Sequence, residues 1–175
     1  MQYPALKADI DQYFPAPSGL GGKPLPPIAE LAKLKGDIAK GRAIFERVES
    51  SCVTCHRVDD KGVDFGPGLA EIGTKLPKEA IFDSIINPNT GLSMGFETTQ
   101  LTFKDGGVGM GIVRSETGDE VVLALPGGVS QKFAKNTIAK RDKLTTSMMP
   151  SGLNQALSQE DLVNLVEYLS SLKKK

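Results

Sequence analysis

The sequence predicts an α+β fold in which helical segments at both ends of the chain enclose a β-rich insert. Residues 37–50 and 158–172 carry apolar residues at the three-to-four-residue spacing of an amphipathic helix. Between about residues 96 and 134 the apolar positions instead alternate every second residue, which is the period of half-buried strands. We therefore expect a mainly α domain of three to four helices, interrupted by a small antiparallel β meander or barrel.

Capping residues mark where each predicted helix begins. Asp37 can cap a first helix that runs to about residue 50, with an inward face of Ile38, Gly41, Phe45 and Val48. A middle helix over 77–87 is opened by Pro77 and closed by Pro88, with an inward face of Ile81, Phe82, Ile85 and Ile86. Ser158 and Asp161 have the spacing of a capping box before a last helix, whose inward face is Leu162, Leu165, Val166, Leu169 and Leu172.

The insert is expected to begin with a hairpin and to continue as a meander. Its first two strands are marked by the alternating residues Thr99, Leu101, Phe103, Val108, Met110 and Ile112, and Asp105-Gly106 supplies the turn between them. A third strand is predicted over 121–125, between turn signals at 117–119 and 126–128, and a fourth over 129–133, before Ile138. We expect Met110 to be a core residue of this sheet.

Both cysteines and the single histidine of the chain lie in one five-residue string, Cys52-Val53-Thr54-Cys55-His56. C-x-x-C-H is the attachment motif of c-type haem, in which the two thiols bind the porphyrin and the histidine binds the iron. Three other interpretations stay open. A zinc site needs four ligands and would require a carboxylate here; a thioredoxin-type dithiol requires a preceding strand; and a disulfide would close a very short loop.

A haem iron of this kind needs a second axial ligand, and the chain offers several methionines for it. Met149, followed by Pro150 and then by the last helix, is the preferred candidate, because His/Met ligation is a recurring pattern in haem proteins. Met148 is the main alternative, and Met94 is a more distant one. A methionine ligand stabilises ferrous iron and raises the reduction potential.

The pattern around this motif resembles the class I cytochromes c. Gly41-x-x-x-Phe45 and Tyr168 are similar to the small and aromatic residues at the crossing of the first and last helices in that class. The resemblance implies three helices around one haem, and it implies that the Pro67 carbonyl accepts the His56 Nδ1 proton. Leu69 and Ile72 are expected to join Pro67 in the wall of the haem pocket.

Over about residues 37–172 the chain also resembles the haem-binding domains of the Planctomycete and Verrucomicrobium type. The resemblance rests on the motif and on Gly66-Pro67-x-Leu69, Ile72-Gly73, Asp105-Gly106, Gly111, Glu116, Ile138, Arg141 and Ser147-Met148-Met149-Pro150-x-Gly152-Leu153. Domains of that type commonly occur within larger proteins, often beside dehydrogenase-like modules. The resemblance therefore implies redox proteins as partners, with a fused or associated dehydrogenase among them.

Composition and charge favour a single domain with no affinity for nucleic acid. The 21 basic and 21 acidic side chains balance, and tryptophan is absent. Residues 1–35 are rich in proline and glycine and are expected to form an extension, either a linker or an ordered strap, before a haem domain at 36–175. No apolar run has the length of a membrane span. Because haem c is attached outside the bacterial cytoplasm, we expect a periplasmic or other extracytoplasmic protein whose secretion signal has been removed.

The function that these residues favour is electron transfer through one covalently bound haem. Two axial ligands leave no open iron site for a substrate, so we expect the chain not to be an enzyme. One alternative is a small-ligand sensor or a peroxidase-like enzyme with a labile methionine, in which Arg141 would be the nearest candidate to assist catalysis. Another is a redox module whose β insert docks a partner domain.

Overall fold

The computed structural model describes residues 16–174, which form five α-helices and seven β-strands. The helices are α1 (Ile28–Leu31), α2 (Ile38–Glu46), α3 (Ile72–Lys75), α4 (Lys78–Ile86) and α5 (Gln159–Ser171). The strands are β1 (Arg57–Val58), β2 (Lys61–Gly62), β3 (Thr98–Phe103), β4 (Val108–Glu116), β5 (Glu120–Ala124), β6 (Ser130–Ala134) and β7 (Ile138–Lys143). This order of elements is compatible with the expected α+β class.

Helix α2 begins at the predicted cap but ends earlier than the sequence suggests. The backbone N–H groups of Ala39 and Lys40 donate to Asp37 Oδ1 at 2.8 and 3.0 Å. The helix ends at Glu46, so Val48 lies in a separate 3₁₀ turn, outside the α-helical period, and is 75% exposed. The predicted inward face was wrong at Ile38 and Val48; the residues that α2 buries are Gly41, Ile44 and Phe45.

Helices α2 and α5 cross at close range because Gly41 has no side chain. A Cβ atom at this position would lie 2.0 Å from the carbonyl oxygen of Asn164 on α5. Beside the crossing, the rings of Phe45 and Tyr168 lie 5.9 Å apart, centroid to centroid, at a tilt of 51°. The Asp37 N–H also donates to Asn164 Oδ1 at 2.8 Å, which fixes the start of α2 on α5.

The last helix, α5, has the predicted capping box. Ser158 Oγ accepts from the Asp161 N–H at 3.0 Å, and Asp161 Oδ2 accepts from the Ser158 N–H at 3.2 Å. Its inward face is buried as predicted, apart from the partly buried last residue; the buried residues are Leu162, Leu165, Val166 and Leu169. Helix α4 buries the four residues predicted for it, and its Lys78 Nζ pairs with Glu167 Oε2 of α5 at 2.5 Å. The helices therefore share one apolar core.

The insert forms one antiparallel sheet with the strand order β6-β5-β4-β3-β7. Four strands lie close to their predicted positions, although Val108 and Val129 are exposed, whereas β7 was not predicted and extends the sheet to Lys143. The sheet is curled. The ring centroids of Phe103 on β3 and Phe133 on β6 lie 5.0 Å apart, although two strands separate β3 from β6 in the sheet. The curl encloses a separate small core of Leu101, Phe103, Val113, Val121, Leu123, Phe133 and Ile138. Met110 is 44% exposed, so its assignment to the core was wrong.

A charged cluster connects strands that lie apart in the curled sheet. Glu116, at the end of β4, accepts from Lys135 Nζ at 2.7 Å and from Arg141 Nη1 of β7 at 2.8 Å. These two cations lower the pKa of the Glu116 carboxyl to about 2. Arg141, which sequence analysis considered as a catalytic assistant, is thus engaged in an ion pair of the sheet.

The described part of the N-terminal extension packs against the domain as an ordered strap. Leu25 and Leu31 are buried in the same core as α2 and α5. The Leu20 N–H donates to the Leu157 carbonyl at 2.7 Å, and Asn154 Nδ2 donates to the Ser18 carbonyl at 2.7 Å. Residues 1–15 of the predicted extension lie outside the described residues. Among residues 16–174, no helix combines the length and the hydropathy that crossing a membrane requires.

Because α2 and α5 cross so closely, any side chain at Gly41 should strongly lower the stability of the protein. Replacing Gly41 with Ala is expected to lower the free energy of unfolding by about 3 kcal/mol, since α2 must move away from the α5 backbone. The control is Gly118→Ala in the β4–β5 turn, where an added Cβ meets nothing within 4 Å, and it should stay within about 1 kcal/mol of the parent. Denaturant unfolding measures both. Equal stability of the two variants would contradict the crossing.

The charged cluster predicts a pH-dependent contribution to stability. Because the Glu116 pKa is about 2 in the folded protein and near 4.5 otherwise, its contribution is present above pH 4.5 and is lost as the pH falls toward 2. Glu116→Gln should therefore lower the melting temperature at pH 6, and the difference from the parent should shrink steadily below pH 4.5. Glu120→Gln is the matched control, because its nearest cation, Lys132 Nζ, is 4.0 Å away. A constant difference across this pH range would be evidence against the cluster.

Candidate functional site

The C-x-x-C-H string follows helix α2 and precedes the β1–β2 ribbon. Residues 52–54 form a 3₁₀ turn that starts after Ser51, whose backbone is left-handed with φ of 57°. The His56 N–H donates to the Cys52 carbonyl at 2.9 Å, so the string closes into one compact turn. The residues before the turn are helical, whereas a thioredoxin-type dithiol requires a strand there. The local structure therefore does not favour the dithiol interpretation.

His56 is held by the loop over residues 64–67. Its Nδ1 atom lies 2.8 Å from the Pro67 carbonyl oxygen, the contact that the resemblance implies. Because a carbonyl can only accept, Nδ1 carries the proton and Nε2 keeps its lone pair. Burial lowers the pKa of the imidazole below its ordinary value, although the bond to Pro67 acts in the opposite direction. The ring is therefore oriented and offers one nitrogen as a ligand.

Gly66 allows this loop to approach the imidazole. A Cβ atom on Gly66 would lie 2.7 Å from His56 Cε1 and 3.0 Å from His56 Nδ1. The Gly66 N–H also donates to the Cys55 carbonyl at 2.6 Å, which ties the loop back to the motif. The sequence pattern marked Gly66-Pro67, and the geometry shows that the two residues contribute differently. Gly66 leaves space for the ring, and Pro67 supplies the acceptor.

An apolar cavity opens beside His56. Its volume is about 1020 Å³, including the part that is open to solvent. Both candidate axial ligands line it, and so does one of the two cysteines; the predicted site residues in the lining are Cys52, His56, Pro67, Leu69, Ile72 and Met149. The rest of the wall is mainly aliphatic and aromatic, with residues from α2, α4 and α5.

The two cysteines have different surroundings. Cys52 is partly buried against the helical core, and this burial raises the pKa of its thiol, although the Ser50 side chain acts against the rise by hydrogen bonding. Cys55 packs instead beside the small apolar cluster of Phe65, Ile112 and Ala124. The structure thus brings Cys52 into the cavity lining and leaves the Cys55 side chain at the border between the motif and the sheet.

The three candidate methionines have different surroundings. Met149 lines the cavity, and its N–H donates to Ser147 Oγ at 3.1 Å. Met148 packs against Phe65, Ile112 and Ala124, and Met94 is 93% exposed. Sequence analysis missed Asn89, whose Oδ1 accepts from the Ser147 N–H at 2.7 Å and so positions the Met149 segment.

Sequence analysis also did not predict the part of the cavity wall that the connection between α4 and β3 forms. Leu92 and Phe96 line the cavity there, together with Pro88 and Ser93. This connection contains no motif; the one available signal was that Leu92, Met94 and Phe96 are apolar within a polar, glycine-containing loop.

The residues around the cavity fit a haem better than a zinc ion. No cluster of three or more His, Cys, Asp or Glu side chains that could hold a metal ion occurs in the part of the chain that the structure describes. A haem instead requires a large apolar pocket, an oriented imidazole and a nearby thiol and thioether, and these four features occur together here.

Comparison with known proteins supports a haem-binding domain. The cytochrome c family model matches residues 38–113, which include α2, the C-x-x-C-H string, α4 and most of the first sheet hairpin. The match covers fewer than half of the residues and ends before Met149. Comparison with curated proteins gave no match. The family match supports a haem-binding cytochrome c domain, a class that carries haem c covalently and generally transfers electrons to and from redox partners.

Because Gly66 lies against the imidazole, alanine substitution at Gly66 should have a much larger effect than alanine substitution at the nearby Gly68. Gly66→Ala is expected to displace the His56 ring, to weaken its bond to Pro67 and to lower the free energy of unfolding by about 1–3 kcal/mol. Gly68→Ala is the control, since a Cβ there meets nothing within 4 Å. The NMR signal of the imidazole Nδ1 proton and denaturant unfolding measure the two effects. An unchanged Nδ1 signal in Gly66→Ala would contradict the arrangement.

Proposed function

We propose that the chain is a monohaem c-type cytochrome that acts in electron transfer, with His56 and Met149 as axial ligands of the iron. The observation that carries this proposal is that His56, Met149 and Cys52 line one apolar cavity. The proposed cofactor is one haem c, attached through Cys52 and Cys55. When bound, it supplies a reversible change between Fe(II) and Fe(III).

The role proposed for Pro67 is to orient the proximal imidazole. Its carbonyl accepts the Nδ1 proton of His56, so the tautomer that leaves Nε2 free is the stable one. A hydrogen bond of this kind also raises the basicity of a ligating imidazole. Leu69 and Ile72 form the neighbouring wall, which keeps water from the site and lowers the local dielectric.

The role proposed for Met149 is to bind the iron from within the same cavity. Its thioether favours the ferrous state and so raises the reduction potential. Met148 is the less suitable ligand, because it packs among Phe65, Ile112 and Ala124 outside the cavity lining. Two axial ligands from the protein leave no iron position for a substrate, and we therefore propose an electron carrier rather than an enzyme.

The proposed partners are redox proteins, including a fused or associated dehydrogenase. We place the protein in the periplasm or another extracytoplasmic space, because haem c attachment occurs there in bacteria. We also propose that the domain is of the Planctomycete and Verrucomicrobium type. This is supported by the sheet of residues 98–143, which interrupts the chain between the motif and Met149.

Visible spectroscopy of the protein matured with a haem-attachment system tests this function. We expect a low-spin spectrum, colour that survives acid extraction, and no change when CO is added to the reduced protein. A high-spin or CO-responsive spectrum would replace electron transfer with small-ligand binding. A colourless protein with two free thiols would exclude haem c.

Substitution of the two neighbouring methionines tests the axial ligand. Met149→Ala should abolish the weak thioether-to-iron charge-transfer band, permit CO binding and lower the reduction potential. Met148→Ala should keep the band and instead lower the free energy of unfolding by about 2 kcal/mol, since it removes packing from the cluster around Phe65. Loss of the band in Met148→Ala alone would assign the ligand to Met148.

A further inference from the structure

Arg114, on strand β4, reaches from the sheet to the loop that holds His56. Its Nη2 atom donates to the carbonyl oxygens of Asp64 at 2.6 Å and Phe65 at 2.8 Å. The side chain is 29% exposed, and its guanidinium carbon lies 5.6 Å from the ring centroid of Phe96, in a cation–π contact. Charged donors form the stronger hydrogen bonds of proteins, so these two contacts restrain the loop backbone.

The restrained carbonyls lie immediately before the residues that contact the imidazole. Gly66 follows Phe65 and passes beside the His56 ring, and the next carbonyl, that of Pro67, accepts the Nδ1 proton. The Phe65 side chain is buried against Ile112 of β4 and Ala124 of β5, so the sheet holds this loop through its packing as well. A movement of the Phe65 carbonyl is therefore transmitted to the acceptor of the His56 bond.

We infer that Arg114 is a positioning residue that keeps the Pro67 carbonyl against His56 and thereby sets the reduction potential of the proposed haem. The inference rests on the proposed function and assigns part of the insert to the redox site. The sheet thus supports the proximal ligand, in addition to any contact it makes with partners. Hydrogen bonding to an axial histidine is one of the means by which a protein adjusts haem potential.

The direction of the change in reduction potential distinguishes a positioning role of Arg114 from an effect of its positive charge alone. A firm bond from Nδ1 to Pro67 makes the imidazole a stronger donor and favours Fe(III), so loss of the restraint should raise the potential. Loss of a nearby positive charge favours Fe(III) instead, and it should lower the potential. The two explanations therefore predict opposite signs for a neutral substitution.

The experiment compares the holoproteins Arg114→Met, Arg114→Lys and Arg141→Met. Arg141 is the matched control: it lies in the same sheet, is 34% exposed and pairs with Glu116, away from the loop. Two properties are measured, the reduction potential and the hydrogen exchange rate of the Gly66 amide, which donates to the Cys55 carbonyl. The exchange rate reports loop restraint independently of redox chemistry.

We expect Arg114→Met to raise the potential and to increase Gly66 exchange about tenfold, because two hydrogen bonds from a charged donor are lost. Arg114→Lys keeps the charge but lacks the planar group that lies on Phe96, so it should give intermediate values of both properties. Arg141→Met should lower stability and leave both properties at the parent values.

Several results would overturn the inference. A lower potential in Arg114→Met with unchanged Gly66 exchange would show a charge effect alone, and faster exchange without a change in potential would remove the link to the iron. Equal effects in Arg141→Met would show general loosening of the sheet. If the parent protein carries no low-spin haem, the proposed function fails, and with it the redox part of the inference, whereas Gly66 exchange still decides whether Arg114 holds the loop.

Discussion

The close crossing of α2 and α5 at Gly41 is the constraint on which the rest of the structure depends. The C-x-x-C-H turn follows shortly after α2, and the Met149 segment lies shortly before α5. When the two helices meet backbone to backbone, His56 and Met149 are brought to one cavity, whose wall includes Phe45 from α2 and Leu165 from α5. A wider crossing would separate the two candidate ligands. The shape of the site is thus determined at a contact that contains none of the candidate haem ligands.

The helices could be predicted from the sequence because their signals are local. Asp37 and the pair Ser158 and Asp161 mark helix starts through side chains that bind backbone N–H groups a few residues away. The burial predictions were wrong where the apolar spacing of a helix or strand continues in the sequence but burial does not. Val48 continues the apolar period of α2 in sequence, but the chain leaves the α-helix at Glu46, so the residue is exposed. Met110 belongs to the same alternation as the buried Ile112 and yet is 44% exposed.

The remaining features could not be predicted because backbone atoms and distant partners create them. Strand β7 carries mostly charged side chains, and its backbone pairing with β3 at the edge of the sheet, rather than an apolar pattern, makes it a strand. Likewise, the motif identified His56 and the cysteines, but the cavity wall at Leu92 and Phe96 comes from a loop without a motif. Arg114 donates to main-chain carbonyls, which exist at every residue, so no residue type in the sequence indicates its target.

The β insert contacts the helical domain at a few points beside the site. These contacts allow the insert to influence the site, although the cavity itself lies in the helical domain. The internal core of the insert, around Leu101, Val121 and Leu123, is separate from the core that the helices share. A further apolar cluster joins the two parts, where Phe65 of the proximal loop meets Ile112 and Ala124. Cys55 and Met148 pack around this same cluster, each of them next to a residue that lines the cavity. Changes in the sheet therefore reach both sides of the site through a few contacts, whereas the cavity itself depends on the helices.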